Sequence, residues 1–217
     1  MRPPGRPKGE YRRAQPEGAP VNTNILVVGI GGQGVMTASE VLARAALAVG
    51  LDVCKTEVAG MSQRGGVVSS QLRIGSKVLA CEITPGQVDL LIALEAAEAL
   101  RWSHWLAPTG CVVASMLRVE PPVVSAGLAT YPADPWRELQ APGRRARQVD
   151  AGTLAAELGD ARLANTVMLG AAADLLPLPA ETLLGEVLAR FGANDALRQR
   201  NAQAFAAGRE HAAALAH

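Results

Sequence analysis

The sequence predicts an α/β fold: a single Rossmann-like domain with a mixed, mostly parallel sheet, one hairpin and flanking helices. Short apolar runs alternate with segments of helical spacing, as expected when helices connect parallel strands. Apolar residues make up 49% of the 217 residues and aromatic residues only 3%, which suits closely packed helices on a parallel sheet. We assign residues 24–217 to one domain and expect the Arg/Pro-rich residues 1–23 to form a disordered tail.

The first predicted element is a buried strand over Ile25 to Gly29, a short apolar run rich in β-branched residues. Further glycines end this strand. Apolar spacing from Val35 to Val49 then predicts a helix that Gly50 closes. A second strand is predicted over residues 51–58, so these segments together predict a βαβ unit.

The middle of the chain predicts a hairpin followed by two central strands. Alternation over residues 67–74 indicates a strand, and residues 78–83 are predicted to return antiparallel to it. Residues 88–94 and 111–115 are apolar enough for buried strands, and residues 95–105 between them have helical spacing.

Helical patterns dominate the end of the chain. Residues 116–148 are rich in Pro and Gly and predict an irregular insertion or a crossing strand. The helices predicted after this insertion cover residues 152–158, 165–176, 180–190 and 193–208.

Composition limits the classes of function. The formal net charge of +1 gives no electrostatic reason to expect a nucleic acid or membrane partner. The Arg/Pro-rich start lacks the apolar core of a secretory signal, and no apolar run is long enough to cross a bilayer. Cys54, Cys81 and Cys111 show no pairing pattern or metal-ligand spacing. We therefore expect a cytoplasmic chain without its own metal site, in which Cys81 and Cys111 are core residues of strands.

The first candidate site is the turn between the first strand and the first helix. Gly29, Gly31 and Gly34 match G-x-G-x-x-G, a pattern that allows close approach of a ligand to the backbone and to a helix N-terminus. One interpretation is a phosphate-type ligand, with Glu57 as the ribose-binding acid if that ligand is a dinucleotide. The other is that the glycines only let the helix pack closely. We expect Gln33 to present its amide at the crest of this turn.

The second candidate site is the segment Gly60 to Gly66, which reads G-M-S-Q-R-G-G. It displays Ser62, Gln63 and Arg64, and arginine suits the binding of phosphate or carboxylate groups. The alternative is a surface loop whose arginine pairs with a nearby acid. Because both loops follow strands at the carboxyl edge, where ligands bind in open α/β sheets, we expect them to lie together.

Three further acids are candidate site residues: Asp89, Glu95 and Glu98. Glu95 directly follows a buried strand, so it either faces the ligand edge or complements the dipole of the next helix. Glu98 is predicted on a solvated helix face. The sequence contains no nucleophile elbow, Ser/His/Asp set or evident carboxylate pair, so we predict no catalytic residue in this chain.

Three segments resemble a known family: N-I-L-V-V-G-I-G-G-Q-G-V from Asn24, E-V-A-G-M-S-Q-R-G-G-V-V-S-S-Q-L-R-I-G from Glu57, and V-D-L-L-I-A-L-E-A-A-E-A-L-R from Val88. They are similar to the gamma domain of the 2-oxoacid:ferredoxin oxidoreductases, and within that family to the beta subunit of its indolepyruvate branch. The resemblance covers about residues 24–208, leaving out the tail and fitting residues 116–148 poorly.

The resemblance implies a subunit of an enzyme that oxidatively decarboxylates a 2-oxoacid to an acyl-CoA and reduces ferredoxin. It implies a large alpha subunit, in a heterodimer or heterotetramer, that carries thiamine diphosphate, magnesium and 4Fe–4S clusters. Coenzyme A is expected at the subunit interface. By motif, the binding residues are Gly31, Gly32, Gln33 and Gly34 in the first loop and Ser62, Gln63, Arg64, Gly65 and Gly66 in the second.

Other functions stay open at this point. The chain also fits the gamma subunit of a pyruvate or 2-oxoglutarate oxidoreductase, because the large subunit holds most of the substrate pocket. A free-standing NAD- or FAD-binding protein would use the G-x-G-x-x-G turn and Glu57. An assembly scaffold would use both loops for subunit contacts alone.

Overall fold

The computed structural model describes residues 22–59, 66–140 and 145–214. In this part of the chain, six strands form one sheet in the order β2–β3–β1–β4–β5–β6. The strands are β1 (Thr23–Ile30), β2 (Asp52–Ala59), β3 (Val67–Gly75), β4 (Val88–Ala93), β5 (Leu106–Ser115) and β6 (Arg145–Val149). The strands β1, β4, β5 and β6 run parallel to one another, whereas β3 is antiparallel to both β1 and β2. The α/β fold with a mixed, mostly parallel sheet is confirmed.

Helices cover both faces of this sheet. They are α1 (Val35–Ala48), α2 (Ala96–Trp102), α3 (Pro122–Ser125), α4 (Pro135–Leu139), α5 (Ala151–Glu157), α6 (Ala164–Ala172), α7 (Ala180–Ala189) and α8 (Asp195–Ala214). One apolar core lies between the sheet and α1 with α5 to α8, and a second lies between the sheet and α2 with α4. The predicted helices are confirmed to within a few residues, except that α8 continues to Ala214.

The central strand β1 contributes to both cores. Ile25 and Val27 point towards α1 and the C-terminal helices, whereas Leu26 and Val28 point towards α2 and α4. All four side chains are fully buried. A strand covered on both faces has no polar positions to alternate with, which explains the continuous apolar run in the sequence.

The predicted hairpin is at the wrong place in the chain. The consecutive antiparallel strands are β2 and β3, and β3 lies between β2 and β1. Residues 78–83 form no strand. Side chains hold this segment instead: Asp52 Oδ2 accepts a hydrogen bond from the Val78 N–H at 2.8 Å, and Gln71 Oε1 accepts one from the Ile83 N–H at 2.7 Å. The predicted βαβ unit is therefore split, with β3 inserted between its two parallel strands.

The cysteines also depart from expectation. Cys54 of β2 and Cys81 form a disulfide across 27 residues, because residues 78–83 lie beside β2 and β3. The prediction of unpaired cysteines, with Cys81 inside a strand, is wrong, and cysteine usage no longer argues for a reducing compartment. Cys111 is buried within β5, as predicted for a core residue.

The region predicted to be irregular contains two short helices, α3 and α4, and the edge strand β6. The strand-like residues around Arg147 do form β6, which pairs in parallel with β5 through Val113 and Arg147. By contrast, Val123 and Val124, which also look strand-like, lie in α3. None of the described helices is long and apolar enough to cross a membrane.

Two glycines allow α6 and α8 to cross at close range. A Cβ atom on Gly170 would overlap the carbonyl oxygen of Phe205, and one on Gly208 would overlap the carbonyl oxygen of Val167. Any larger side chain would separate the two helices. This close crossing fixes α8 relative to the start of α6, and both helices line the candidate site.

Candidate functional site

The two glycine loops meet at the carboxyl edge of the sheet. The backbone N–H of Gly31 donates to the carbonyl oxygen of Gly66 at 2.8 Å. This bond continues the antiparallel ladder of β1 and β3, whose final pair is Ile30 and Val67. The predicted proximity of the two loops is therefore confirmed at Gly31 and Gly66.

The rest of the second loop, residues 60–65, lies outside the described residues. It holds the predicted site residues Ser62, Gln63, Arg64 and Gly65. Their proposed roles stay predictions, and they are placed only by their position in the chain just before Gly66.

Gln33 turns its amide into the fold rather than displaying it at the crest of the first loop. Its Oε1 accepts a hydrogen bond from the Ile30 N–H at 2.7 Å, and its Nε2 donates to the Leu94 carbonyl oxygen at 3.1 Å. The side chain thereby joins the end of β1 to the end of β4. The Gln33 side chain therefore shapes the first loop from within, and its predicted role in binding stays a prediction.

The glycines of the first motif have separate structural reasons. A Cβ atom on Gly29 would lie 2.8 Å from Gln33 Oε1, so Gly29 leaves room for the Gln33 amide. Gly32 and Gly34 have φ angles of +103° and +84°, which other residues adopt only with strain. Gly29 thus supports the close-packing interpretation, whereas Gly32 and Gly34 shape the turn into α1.

The N-terminus of α1 is left without a capping side chain. Gly34 occupies the cap position and cannot supply one, and the first turn holds no acid. The first bond of the helix runs from the Ala38 N–H to the Gly34 carbonyl oxygen. The amide groups before Ala38 therefore keep the partial positive charge of a helix N-terminus.

Glu57 is not placed as the ribose-binding acid of a dinucleotide fold. Its carboxylate pairs with Lys55 Nζ at 2.9 Å and accepts a hydrogen bond from Ser39 Oγ of α1 at 3.2 Å. In addition, β3 separates β2 from β1, whereas a dinucleotide fold places those strands side by side. The arrangement does not support the NAD or FAD interpretation.

Glu95 is fully buried and caps α2. Its Oε2 accepts a hydrogen bond from the Glu98 N–H at 2.9 Å, while its Oε1 accepts from the Val119 N–H at 3.3 Å and from the Tyr131 hydroxyl. Burial, and then the bond to Glu95, raise the pKa of Tyr131. The Arg118 guanidinium lies 4.1 Å above the Tyr131 ring. Glu95 therefore complements its helix, as one of its two interpretations predicted, and also anchors the chain that follows β5.

The other two acids do not lie at the site. Glu98, predicted on a solvated face, is only 1% exposed. It accepts hydrogen bonds from Arg101 Nε at 3.0 Å and Trp102 Nε1 at 3.2 Å, and burial raises its pKa. Asp89 lies at the opposite end of β4, where its Oδ2 accepts a hydrogen bond from the Asn24 N–H at 2.8 Å.

A cleft of about 540 Å³ opens beside the first loop. The loop and Thr37 of α1 line one side. The C-terminal part of the chain lines another, through residues 160–166, Met168, Arg190, Phe191, Leu197, Arg200 and Asn201. The apolar side chains that line it are Leu94, Leu117, Leu163, Met168, Phe191 and Leu197. The volume is within the usual range for small-molecule sites.

Asn165, near the start of α6, fastens the first loop to the C-terminal helices. Its Nδ2 donates to the carbonyl oxygens of Gln33 at 3.1 Å and Gly34 at 3.0 Å. Sequence reasoning placed Asn165 in a helix but did not identify it as a site residue. The sequence signal that could have identified Asn165 is the segment N-T-V-M-L-G, which begins at this residue and also resembles the family.

Sequence reasoning also missed three arginines that line the cleft: Arg162, Arg190 and Arg200. Arg162 forms a fork with Asp160, with Nη2 to Oδ2 at 2.7 Å. The hydrogen bonds from Arg162, followed by its charge and that of Arg200, lower the pKa of Asp160 to about 2. These residues lie far along the chain from both glycine loops, so no local motif links them to the site.

Comparison with known proteins agrees with the motif-based resemblance. Residues 24–211 match the family described as pyruvate ferredoxin/flavodoxin oxidoreductase. The indolepyruvate oxidoreductase subunit IorB of Archaeoglobus fulgidus is 42% identical over 149 residues, which are 68% of this chain and 74% of that protein. The subunit of the same name from Thermococcus kodakarensis is 38% identical over 151 residues, 68% of this chain and 75% of that protein.

Solved structures share the fold. The gamma subunit of a keto/oxoacid ferredoxin oxidoreductase from Geobacter sulfurreducens has a TM-score of 0.65 at 24% identity, covering 88% of this chain and 99% of that one. The 2-oxoglutarate:ferredoxin oxidoreductase from Magnetococcus marinus has a TM-score of 0.71 at 23% identity, covering 89% of this chain and 31% of that one. The chain belongs to the pyruvate ferredoxin/flavodoxin oxidoreductase family.

Proposed function

We propose that this chain is the small subunit of a cytoplasmic indolepyruvate or arylpyruvate:ferredoxin oxidoreductase. With a large catalytic subunit it takes part in the oxidative decarboxylation of the 2-oxoacid to an acyl-CoA. Relatives at 33–42% identity bear the name indolepyruvate oxidoreductase subunit IorB, which supports this substrate class over pyruvate or 2-oxoglutarate. The structure of the 2-oxoglutarate enzyme from Magnetococcus marinus is more distant in sequence, at 23% identity.

In the proposed complex the large subunit carries thiamine diphosphate, magnesium and the 4Fe–4S clusters, and ferredoxin accepts the electrons. The two subunits form a heterodimer or heterotetramer. The small subunit contributes no acid, base or nucleophile to the reacting atoms. Its role is to bind and orient coenzyme A and to close the active site of its partner.

The observation that carries this role is the junction of the two loops at Gly31 and Gly66. It puts the uncapped start of α1 and Gly66, the last residue of the S-Q-R-G-G segment, on one edge of the sheet. Backbone N–H groups and a helix N-terminus suit the phosphates of coenzyme A, and Arg64 would add a charge-assisted hydrogen bond. The Magnetococcus enzyme, whose chain includes this fold, was solved with coenzyme A bound, which supports a contact of the same kind here.

The test is affinity purification of the tagged full chain from its native cells, followed by a visible spectrum and an activity assay. The proposal predicts a large partner with the broad absorption of iron–sulfur clusters and coenzyme A-dependent reduction of ferredoxin by indolepyruvate. Pyruvate and 2-oxoglutarate serve as control substrates. A complex that oxidises either of these in preference to indolepyruvate would contradict the proposed substrate, and a chain recovered without any cluster-bearing partner would contradict the proposed subunit role.

A further inference from the structure

Residues 78–83 form a strap that lies against the two strands at one end of the sheet. The strap begins shortly after β3 ends and belongs to no helix or strand of the described chain. Its Cys81 is bonded to Cys54 of β2, the strand at the end of the sheet. The Cα atoms of the two cysteines are 4.8 Å apart, within the usual range for a disulfide. The bond therefore fastens the strap to an edge strand.

Side chains of β2 and β3 make the other polar attachments of the strap. Asp52 Oδ2 and Gln71 Oε1 accept hydrogen bonds from the backbone N–H groups at its two ends, at 2.8 Å and 2.7 Å. Arg73 Nη1 donates to the carbonyl oxygen of Ala80 at 3.2 Å. The bonds of Asp52 and Arg73 are exposed to solvent, where water competes with them and their net contribution is small. They keep the cysteines near each other, but the disulfide is the strongest link.

The first part of the strap is exposed and its end is buried. Leu79 is 83% exposed, whereas Ile83 is 4% exposed and belongs to the core that contains α2 and α4. Cys54 and Cys81 are each only partly buried, so a thiol reagent can reach the bond between them. If that bond breaks, the first part of the strap is free to leave the sheet while Ile83 anchors its end.

An arginine beside the cysteine pair favours exchange with thiols. Arg73 lies directly opposite Cys54 in the pairing of β2 with β3. Its hydrogen bond to Ala80 holds its guanidinium group against the residue that precedes Cys81. A positive charge beside a cysteine favours the thiolate, which is both the attacking and the leaving form in thiol–disulfide exchange.

We infer that Cys54 and Cys81 form a reversible redox site that reacts with a cellular dithiol. A thiolate of the dithiol attacks one sulfur and forms a mixed disulfide, and the other cysteine leaves as a thiolate and takes up a proton. The second thiol of the dithiol then displaces the first cysteine, which is protonated in turn. The dithiol becomes a disulfide, and this chain gains two electrons and two protons. The reverse steps, with the oxidised dithiol, restore the bond.

The compartment gives this site a regulatory meaning. In a cytoplasm, which is the one point taken from the proposed function, disulfides are uncommon and usually serve catalysis or redox sensing. Reduction leaves the first part of the strap held by hydrogen bonds alone, so it opens more often. The edge strand β2 continues from Cys54 to Ala59 and ends at the same edge of the sheet as β1. The redox state therefore acts on a strand that ends at the edge carrying the candidate site.

The first experiment is redox equilibration of the purified full chain in millimolar glutathione buffers, from fully reduced to fully oxidised. The chain is then unfolded, its free thiols are alkylated, and the three cysteines are assigned by mass spectrometry. We expect Cys54 and Cys81 to pass together from two thiols to a disulfide and back within this range. A pair that stays oxidised in the most reducing buffer is structural and overturns the inference. A pair that stays reduced in the most oxidising buffer overturns it as well.

Limited proteolysis with trypsin measures the release of the strap. Trypsin cuts after the exposed Lys77, and the N–H of the next residue is the one that Asp52 holds. We expect reduction to raise the rate of this cleavage roughly tenfold or more, because cleavage follows the population of the open form. Cleavage after the exposed Arg118, which follows β5, is the internal control and should change by less than about twofold. Equal rates after Lys77 in both redox states would overturn the inference.

Cysteine variants separate the bond from other effects of the reductant. Cys81→Ser removes the bond, so we expect cleavage after Lys77 as fast as in the reduced wild type, with or without reductant. Cys111→Ala keeps the bond and should respond to reductant as the wild type does. A Cys81→Ser chain protected as strongly as the oxidised wild type would show that the disulfide does not hold the strap, and would overturn the inference. These measurements use this chain alone, so their outcome is independent of whether the complex oxidises indolepyruvate.

Discussion

Gly31 donates its backbone N–H to the carbonyl oxygen of Gly66 at 2.8 Å. The two glycines belong to different motifs and lie 35 positions apart in the chain. The bond exists because β3 runs antiparallel to β1 and begins where β1 ends. The carboxyl edge of the sheet therefore brings Gly31 of the first motif and Gly66 of the second together, next to the uncapped start of α1.

Gln33 should be required for the shape of the first loop. Gln33→Ala leaves the Ile30 N–H and the Leu94 carbonyl oxygen without their partner. We expect the free energy of unfolding in urea to fall by about 1–3 kcal/mol. The exposed Gln199→Ala on α8 should change it by less than about 0.5 kcal/mol. Similar values for the two variants would mean that the Gln33 amide does not hold the loop.

Two glycine substitutions should have opposite effects. Gly34→Ala places a Cβ atom 3.0 Å from Asn165 Nδ2 at a φ of +84°, so we expect the protein to lose about 1–2 kcal/mol of stability. Gly185 lies within α7 with nothing within 4 Å of a Cβ atom, so Gly185→Ala should add roughly 0.5–1 kcal/mol. Urea unfolding measures both. A stabilising effect of Gly34→Ala would contradict the described turn.

The Tyr131 hydroxyl should stabilise the fold through the buried Glu95 carboxylate. Tyr131→Phe leaves that carboxylate one donor short, so we expect a loss of about 1.5–3 kcal/mol at neutral pH, measured by urea unfolding. Phenylalanine keeps the ring beneath Arg118, so the variant isolates the hydroxyl.

The same variant predicts a dependence on pH. The pKa of Tyr131 is raised in the folded protein, so the neutral hydroxyl is favoured there and the unfolded chain loses its proton first. Stability from this group is therefore fully present below about pH 10, the ordinary tyrosine pKa, and declines as the pH rises above it. The stability difference between wild type and Tyr131→Phe should shrink above that pH. A stability difference that grows above that pH would contradict the raised pKa of Tyr131.

The disulfide between Cys54 and Cys81 should contribute measurably to stability. It closes a loop of 27 residues, for which chain entropy predicts about 3–4 kcal/mol. Treatment of the wild type with dithiothreitol and the substitution Cys54→Ser should each lower the urea concentration at the unfolding midpoint. Cys111→Ala keeps the disulfide, so dithiothreitol should still lower the midpoint of that variant. Thiol titration of the unfolded, unreduced chain should find one free cysteine, since two of the three are paired. Three free thiols would contradict the disulfide.

The elements that sequence reasoning predicted well are those decided by burial. The strands β1, β4 and β5 are covered on both faces, so their residues are almost all apolar and easy to recognise. The helix α1 was predicted because its apolar face, its glycine turn and Gly50 all agree. The contact between the two loops followed from their common position at the carboxyl edge.

The misplaced elements depend on long-range partners. Residues 78–83 follow a turn and are mostly apolar, which suggested a returning strand, but side chains of Asp52 and Gln71 accept their backbone N–H groups instead. Glu98 has its partners, Arg101 and Trp102, on its own helix, but it looked solvated because its burial arises only when α2 packs on the sheet. Asn165 and the cleft arginines reach the site only through the crossing of α6 and α8, which no local pattern encodes.

The most direct test of the joined loops as a coenzyme A surface is a steady-state coenzyme A titration of the reconstituted two-subunit enzyme carrying Arg64→Ala. With the complex intact, we expect the KM for coenzyme A to rise roughly tenfold or more while the KM for the 2-oxoacid stays unchanged. Arg64→Lys keeps the positive charge but loses the two-pronged hydrogen-bonding geometry of arginine. Its KM for coenzyme A should lie between those of the wild type and Arg64→Ala. An unchanged KM for coenzyme A, or a loss of assembly without any change in the kinetics of the remaining complex, would contradict the account.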